Sequence, residues 1–217
     1  MATENVHKTV ASPSTPSSNE KTENVQRLFV AIPVPASARN ELARAQLLLQ
    51  AGAPPRALRW TNPEQIHLTL IFLGDVPEPR VEALNAAVLA ACARHQPMTL
   101  RAEGIGFFPN ERSPRVIWAG VTDRQGRLAP LQRSVAEAAR PFAADPAGED
   151  FVGHLTLGRF RAFRRAEMRA FMQTAANMRE QPFGEWRAAT VQIIRSELLP
   201  GGARHTLSAQ FPLAEIN

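Results

Sequence analysis

Apolar and polar positions along this chain follow two periods, one near two residues and one near 3.6, and the changes between them outline its elements. Leu28-Phe29-Val30-Ala31-Ile32 is a short β-type run stopped by Pro33 and Pro35. Residues from Ser37 to about Gln50 predict a helix with Ser37 as its N-cap. Leu58-Arg59-Trp60 and Ile66 to Leu73 read as strands, the second ending at the turn signal Gly74-Asp75. From Glu78 to Arg94 the residues Val81, Leu84, Val88 and Ala91 repeat at helical spacing, and Met98 to Ile105 is another strand. The order is β-α-β-β-α-β.

A similar order then runs again. A strand Val116 to Val121 is followed by a helix marked by Leu128, Leu131, Val135, Ala138 and Phe142. A strand Phe151 to Phe160, a helix marked by Met168, Phe171, Met172 and Ala175, and a strand from about Ala189 to Leu198 come next. The chain therefore reads as internally duplicated. A last strand, His205 to Leu213, closes one sheet, with Gly201-Gly202 as the hairpin turn into it.

Composition adds a boundary. Residues 1–24 are rich in Ser, Thr, Pro and Asn without hydrophobic periodicity, which predicts a disordered tail ahead of a single two-lobed domain over 25–217. No stretch approaches the ~18 apolar residues of a membrane span, and the N-terminus lacks the apolar core of a secretory signal. With Cys92 as the single cysteine, read as a small buried helix residue, a cytoplasmic address is expected. The tail has three glutamates against two lysines, −1, which leaves +6 on the body for a total of +5. Both lysines lie in the tail, so the 23 basic residues of the body (25 − 2) are all arginine, the side chain suited to forked phosphate contacts. An anionic partner gains weak support, since scattered solvated arginines are common.

Candidate chemistry lies in a repeated tetrapeptide. His67-Leu68-Thr69-Leu70 and His154-Leu155-Thr156-Leu157 occupy corresponding strands of the two halves, 87 residues apart (154 − 67). Side chains two apart on a strand share a face, so each His projects beside its own Thr while the leucines point into packing. A lone His-x-Thr is ordinarily a polar strand face, but identical copies at matching points of a duplication are hard to assign to chance. An approximate two-fold axis would let the pairs face each other across a cleft. Two imidazoles flanking one phosphorus suit hydrolysis of a cyclic phosphodiester, one neutral ring taking a proton from water and one charged ring giving a proton to the departing ribose oxygen. Threonine hydroxyls can donate to the non-bridging oxygens. Metal binding is the weaker rival, because neither motif has a carboxylate, His or Cys at ligand spacing. No cofactor is expected.

Beyond the tetrapeptides, the sequence closely resembles the RNA 2′,3′-cyclic phosphodiesterases, historically called 2′-5′ RNA ligases, of the two-histidine phosphoesterase superfamily. The resemblance covers 27–213 and rests on Arg27-Leu28-Phe29-Val30-Ala31-Ile32, Arg59-Trp60, His67-Leu68-Thr69-Leu70-Ile71-Phe72-Leu73-Gly74, Phe108-Pro109-Asn110, Pro114-Arg115-Val116-Ile117-Trp118-Ala119-Gly120, His154-Leu155-Thr156-Leu157-Gly158-Arg159 and Phe211-Pro212-Leu213. It implies an α+β fold of two lobes with antiparallel sheets around a basic central cleft and helices outside. It also implies His67 as proton donor, His154 as base, Thr69 and Thr156 as phosphate holders, Arg159 as added charge near the phosphate, and a terminal 2′-phosphate product. Where the family often has Pro before the second motif and Tyr near the C-terminus, this chain has Gly153 and His205.

Trp60 and Phe108 are candidate base-stacking platforms. Phe72, out of register with His67 and Thr69, and Trp118 are expected in the core. His95, at a helix C-terminus, and His7, in the tail, are expected to be non-catalytic. The expected partner is an RNA end bearing a 2′,3′-cyclic phosphate, acted on by a monomer with no membrane association. Two alternatives stay open: 2′-5′ ligation of such an end to a 5′-hydroxyl, and an RNA-end binding module without turnover.

Overall fold

Strand β3 (His67–Pro77) and strand β6 (His154–Phe160) carry the two tetrapeptides, and they meet at one residue pair, Leu68 against Leu155. The structure, a computed structural model, describes residues 24–144, 151–161, 163–199 and 202–215. The remaining elements are β1 (Val25–Pro33), α1 (Ala36–Gly52), β2 (Leu58–Trp60), α2 (Val81–Cys92), β4 (Met98–Phe108), β5 (Val116–Thr122), α3 (Leu128–Ala139), α4 (Arg169–Asn177), β7 (Pro182–Ala188), β8 (Thr190–Leu199) and β9 (Gly202–Pro212).

Among the described residues the strands form one antiparallel sheet in the order β7-β4-β5-β6-β3-β1-β8-β9, with β2 paired to β6. The two expected sheets are thus joined edge to edge at the Leu68–Leu155 contact. On one side β3-β1-β8-β9 is backed by α2 packed on α3; on the other β7-β4-β5-β6 is backed by α1 packed on α4. The duplicated α+β architecture is present, but the halves exchange strands. β4, from the first half, pairs with β5 and β7, and β8, from the second, pairs with β1. Helices α2 and α3, which back β3-β1-β8-β9, each precede a strand of the opposite lobe, β4 and β6, which ties the two halves into one core.

Several local expectations shift. α1 starts at Ala36 with Pro35 at the N-cap, whose carbonyl accepts from the Arg39 N–H, so Ser37 is not the cap. β3 runs on through Gly74-Asp75 to Pro77, because Gly74 (φ +70°) absorbs an irregularity inside the strand instead of turning the chain. β6 begins at His154, not Phe151, and β9 begins at Gly202, not His205. β7 was not expected; its sequence Pro-Phe-Gly-Glu-Trp-Arg-Ala mixes breakers with its alternating apolar residues. The β8–β9 hairpin pairs out to Leu199 and Gly202, while Gly201 of its expected turn lies outside the described residues. Of the expected disordered tail, 1–23 also lies outside them. Cys92 is fully buried at the end of α2, where desolvation pushes its thiol up to about 11.

Leu68, Leu70, Leu155 and Leu157 are all buried in the main core, which turns His67, Thr69, His154 and Thr156 to the opposite face. Leu155→Ala at the lobe junction is expected to cost about 2–5 kcal/mol, against less than about 0.5 kcal/mol for Leu207→Ala on the exposed face of β9. Urea unfolding midpoints of the two variants check this.

Candidate active site

A β-bulge follows the same step in both motif strands. On β1 and β3 the pairs Ala31–Thr69 and Val30–Ile71 skip Leu70; on β5 and β6 the pairs Trp118–Thr156 and Ile117–Gly158 skip Leu157. A bulge reverses the inward–outward alternation beyond it. Phe72 and Arg159, each five residues after its histidine, are therefore carried to the same face as the histidines. Phe72 is 63% exposed and lines the cleft, so its expected core position is corrected. Its even number misleads only because uninterrupted alternation does not survive the bulge.

Each bulged leucine carbonyl is met by a glutamine from the helix behind it. Gln46 of α1 donates Nε2–H bonds to Leu157 O (2.9 Å) and Thr61 O (2.8 Å), and Gln132 of α3 donates to Leu70 O (3.1 Å). Gln46, 3% exposed, is the buried polar side chain in an otherwise apolar interior among the described residues. Buried carbonyls left unpaired are costly, so these amides hold both bulges in place.

The histidines are anchored alike. His67 Nδ1 donates to Gln65 O at 2.7 Å, and His154 Nδ1 donates to Val152 O at 2.8 Å. A carbonyl can only accept, which assigns the proton to Nδ1 and leaves Nε2 without a protein partner among the described residues. His67 and His154 line one cleft of about 1040 Å³ together with Thr69, Thr156, Arg159 and Trp60. The structure brings these six sequence candidates together. Phe108 does not join them on the cleft wall; it stands edge-on to His154 at 4.9 Å and packs on Trp118 at 5.0 Å. Trp118, expected in the core, alternates with buried Ile117 and Ala119 onto the His154 side, 6.3 Å from that ring.

The walls around the two rings differ. Phe29, 3% exposed, stacks on His67 at 4.6 Å, and His205 approaches His67 edge-on at 5.2 Å. Desolvation, only partly opposed by the Gln65 bond, lowers the His67 pKa to about 4, with His205 and His154 adding repulsion. His154 is also lowered, first by burial and then by the Arg159 charge, against the Val152 bond. His205 is lowered by burial. All three rings thus favour the neutral form in the free protein. His95 lies outside the cleft, its Nε2 2.8 Å from the Ser134 hydroxyl. No group of three or more His, Cys, Asp or Glu side chains among the described residues could hold a metal ion. No helix among them is long and apolar enough to cross a membrane.

Known proteins are similar to this chain in sequence and fold. A family model described as LigT like Phosphoesterase matches residues 32–118. Proteins named RNA 2′,3′-cyclic phosphodiesterase from Archaeoglobus fulgidus and Thermus thermophilus are 32% and 34% identical, over 81% and 86% of this chain and 94% and 90% of their own lengths. The chain belongs to this LigT-like phosphoesterase family. A crystal structure of a Thermus thermophilus protein superposes with a TM-score of 0.70 at 30% identity, covering 86% of this chain and 97% of that one. E. coli LigT complexed with 3′-AMP gives 0.69 at 25% identity, over 88% and 100%.

For a LigT-like phosphoesterase, the features that sequence reasoning missed are the second ring of contacts: Phe29, Phe72, Gln46 and Gln132. Aligning the two motifs by their histidines would have set Phe72 against Arg159. A glutamine among Leu42, Ala45 and Leu49 on the buried face of α1 is likewise a visible break in pattern. At Gly153, where the family often has Pro, the carbonyl accepts from Val121 N–H at 2.9 Å, so entry into β6 is tied down.

Two outcomes follow from this geometry. Gln46→Leu keeps the volume but takes away the donor to Thr61 O and leaves Leu157 O only the Thr61 N–H at 2.9 Å, and a loss of about 1–3 kcal/mol is expected in urea unfolding. In NMR titration of the free protein, His67 is expected to protonate near pH 4, far below the ordinary 6.5. Because the unfolded chain takes up that proton first, the His67 contribution to stability is full above 6.5 and is lost as pH falls toward 4. A His67 titration at 6.5 would contradict the burial.

Proposed function

We propose that the protein hydrolyses the 2′,3′-cyclic phosphodiester ends of RNA to 2′-phosphates, using His67 and His154 as its acid–base pair. One observation carries this reading: imidazoles from opposite lobes open onto a single cleft, each with Nδ1 committed to a carbonyl and Nε2 without a protein partner among the described residues. The names of the relatives support the substrate class.

In this scheme water loses a proton to His154 Nε2 as its oxygen bonds to phosphorus. The P–O3′ bond breaks, and O3′ takes the proton of charged His67 Nε2. The P–O2′ bond stays, so the phosphate remains on O2′, and the rings then exchange protons with solvent. Thr69 and Thr156 donate to the non-bridging oxygens, and Arg159 adds positive charge. The exposed ring of Phe72 and the half-buried indole of Trp60 offer aromatic surface to a base. A 5′-hydroxyl in place of water would yield a 2′-5′ linkage by the same steps.

The proton direction follows the family resemblance, and one observation favours its reverse. Burial holds His67 at about 4, which makes neutral His67 a good resting base. In the assigned direction the anionic phosphate must restore its proton, since an adjacent opposite charge stabilises imidazolium. A substrate with bridging sulfur at the 3′ position needs no protonation of its leaving group, so it is expected to rescue the His67→Ala variant and not the His154→Ala variant.

With an ordinary cyclic-phosphate RNA, either alanine variant is expected to lose about 10²–10⁴ in kcat, and the product is expected to carry its phosphate on O2′. Chelator is expected to leave the rate unchanged. Product analysis by phosphorus NMR and a rate assay check these outcomes, and an alanine variant as fast as the parent would end the proposal.

A further inference from the structure

The lobe that carries His67 holds a row of polar side chains the reaction does not use. Arg27 on β1, Ser196 on β8 and His205 on β9 all line the cleft. Ser196 pairs with His205 across β8 and β9, and the β1–β8 register that joins Leu28 to Arg195 brings Arg27 beside Ser196 at the next step. Directly opposed residues on neighbouring strands share a face. The three therefore form a transverse row, two residues along β1 from Phe29, whose ring covers His67.

Charge singles out Arg27 within this row. Arg204, also at the cleft, is held by Glu197, which Arg195 shares at 3.2 Å. Arg27 is exposed and makes no ion pair among the described residues, although Asp75 is its backbone neighbour on β3. His205 Nδ1 is buried without a hydrogen-bond partner. An unneutralised guanidinium beside a hydroxyl and an imidazole is a donor set suited to a phosphodiester.

Position supports the same ligand. Thr69, which faces the reacting phosphate in the scheme above, pairs with Ala31 of β1. Four residues separate Ala31 from Arg27, roughly 13 Å at the ordinary strand rise of about 3.3 Å per residue, and the long arginine side chain can shorten that span. On the opposite lobe the rings beside His154, Phe108 and Trp118, are apolar; of the cleft cations there, Arg159 is assigned to the reacting phosphate and Arg59 of β2 is the control in the test below.

We propose that Arg27, flanked by Ser196 and His205, binds the internucleotide phosphate upstream of the cyclic end, so that the enzyme prefers an oligonucleotide to a nucleoside cyclic phosphate. This rests on the hydrolytic reading of the site. The test uses cytidine 2′,3′-cyclic phosphate and an RNA trinucleotide ending in the same group, with the full-length parent and the Arg27→Ala, Arg27→Lys and Arg59→Ala variants. For Arg27→Ala the trinucleotide-to-mononucleotide ratio of kcat/KM is expected to fall about tenfold, chiefly through KM. The slope of log kcat/KM against log salt for the trinucleotide is expected to become shallower by about 0.7, the value of one single-strand phosphate contact. Arg27→Lys is expected to keep the slope. An unchanged ratio and slope in Arg27→Ala would overturn the subsite while leaving hydrolysis intact, as would both changes appearing in Arg59→Ala alone. A parent that hydrolyses neither substrate would remove the hydrolytic reading and the subsite with it.

Discussion

Where β3 and β6 touch, the whole sheet depends on Leu68 meeting Leu155 in antiparallel register. Continued one step in each direction, that register sets His67 toward Thr156 and Thr69 toward His154. Parallel strands would have set histidine beside histidine. Because alternate side chains share a face, burying both leucines of a motif turns its histidine and threonine the other way. The core and the cleft are two sides of the same strand segments, so the contact that closes the hydrophobic interior also sets the two histidines and two threonines on one cleft. Exchange of β4 and β8 between the halves reinforces this, since neither lobe can complete its sheet without the other.

Strand pairing alone would leave β3 and β6 presenting only histidine and threonine to the cleft. The bulges at Leu70 and Leu157 change that by moving the fifth residue after each histidine onto the cleft face. In one lobe the result is an exposed aromatic ring, Phe72, and in the other a cation, Arg159. A two-fold backbone therefore carries an asymmetric surface, as a ligand with a base at one point and a phosphate at another requires. The bulges are supported from behind: Gln132 donates to Leu70 O, and Gln46 joins the Thr61 N–H on Leu157 O. Here a polar side chain in an apolar helix face serves geometry that lies on the far side of the sheet.

Much of this was legible in the sequence, and the remainder had physical reasons to be hidden. Helical and strand periods located the four helices and all strands but β7, and the repeated tetrapeptide located both histidines and both threonines. Strand ends were less legible: Gly74-Asp75 reads as a turn, yet the glycine serves as a kink within β3. Phe72 and Trp118 were misplaced because burial was inferred from size and alternation. A bulge reversed the alternation for one, and a cleft face that buries aromatic rings held the other. Arg27 opens the β-type run that ends at Ile32, but its row with Ser196 and His205 joins residues far apart in sequence.

The two histidines show how far local sequence can carry a mechanism. Their tetrapeptides are identical, their Nδ1 anchors are equivalent, and each is lowered first by desolvation. What differs comes from strands distant in sequence and from the fifth residue after each histidine. Phe29 of β1 and His205 of β9 close over His67, whereas His154 is edged by Phe108 and Trp118 and has Arg159 on its own strand. A ring so desolvated resists charge until an anion arrives, while the Arg159 guanidinium opposes charge on His154 whether or not substrate is bound. An incoming phosphate beside Arg159 is shared between that cation and His154. Near His67 the corresponding position is Phe72, which has no charge to compete for the anion. Substrate binding therefore has more room to raise the proton affinity of His67 than of His154, and that difference supports His67 as donor despite its low resting affinity.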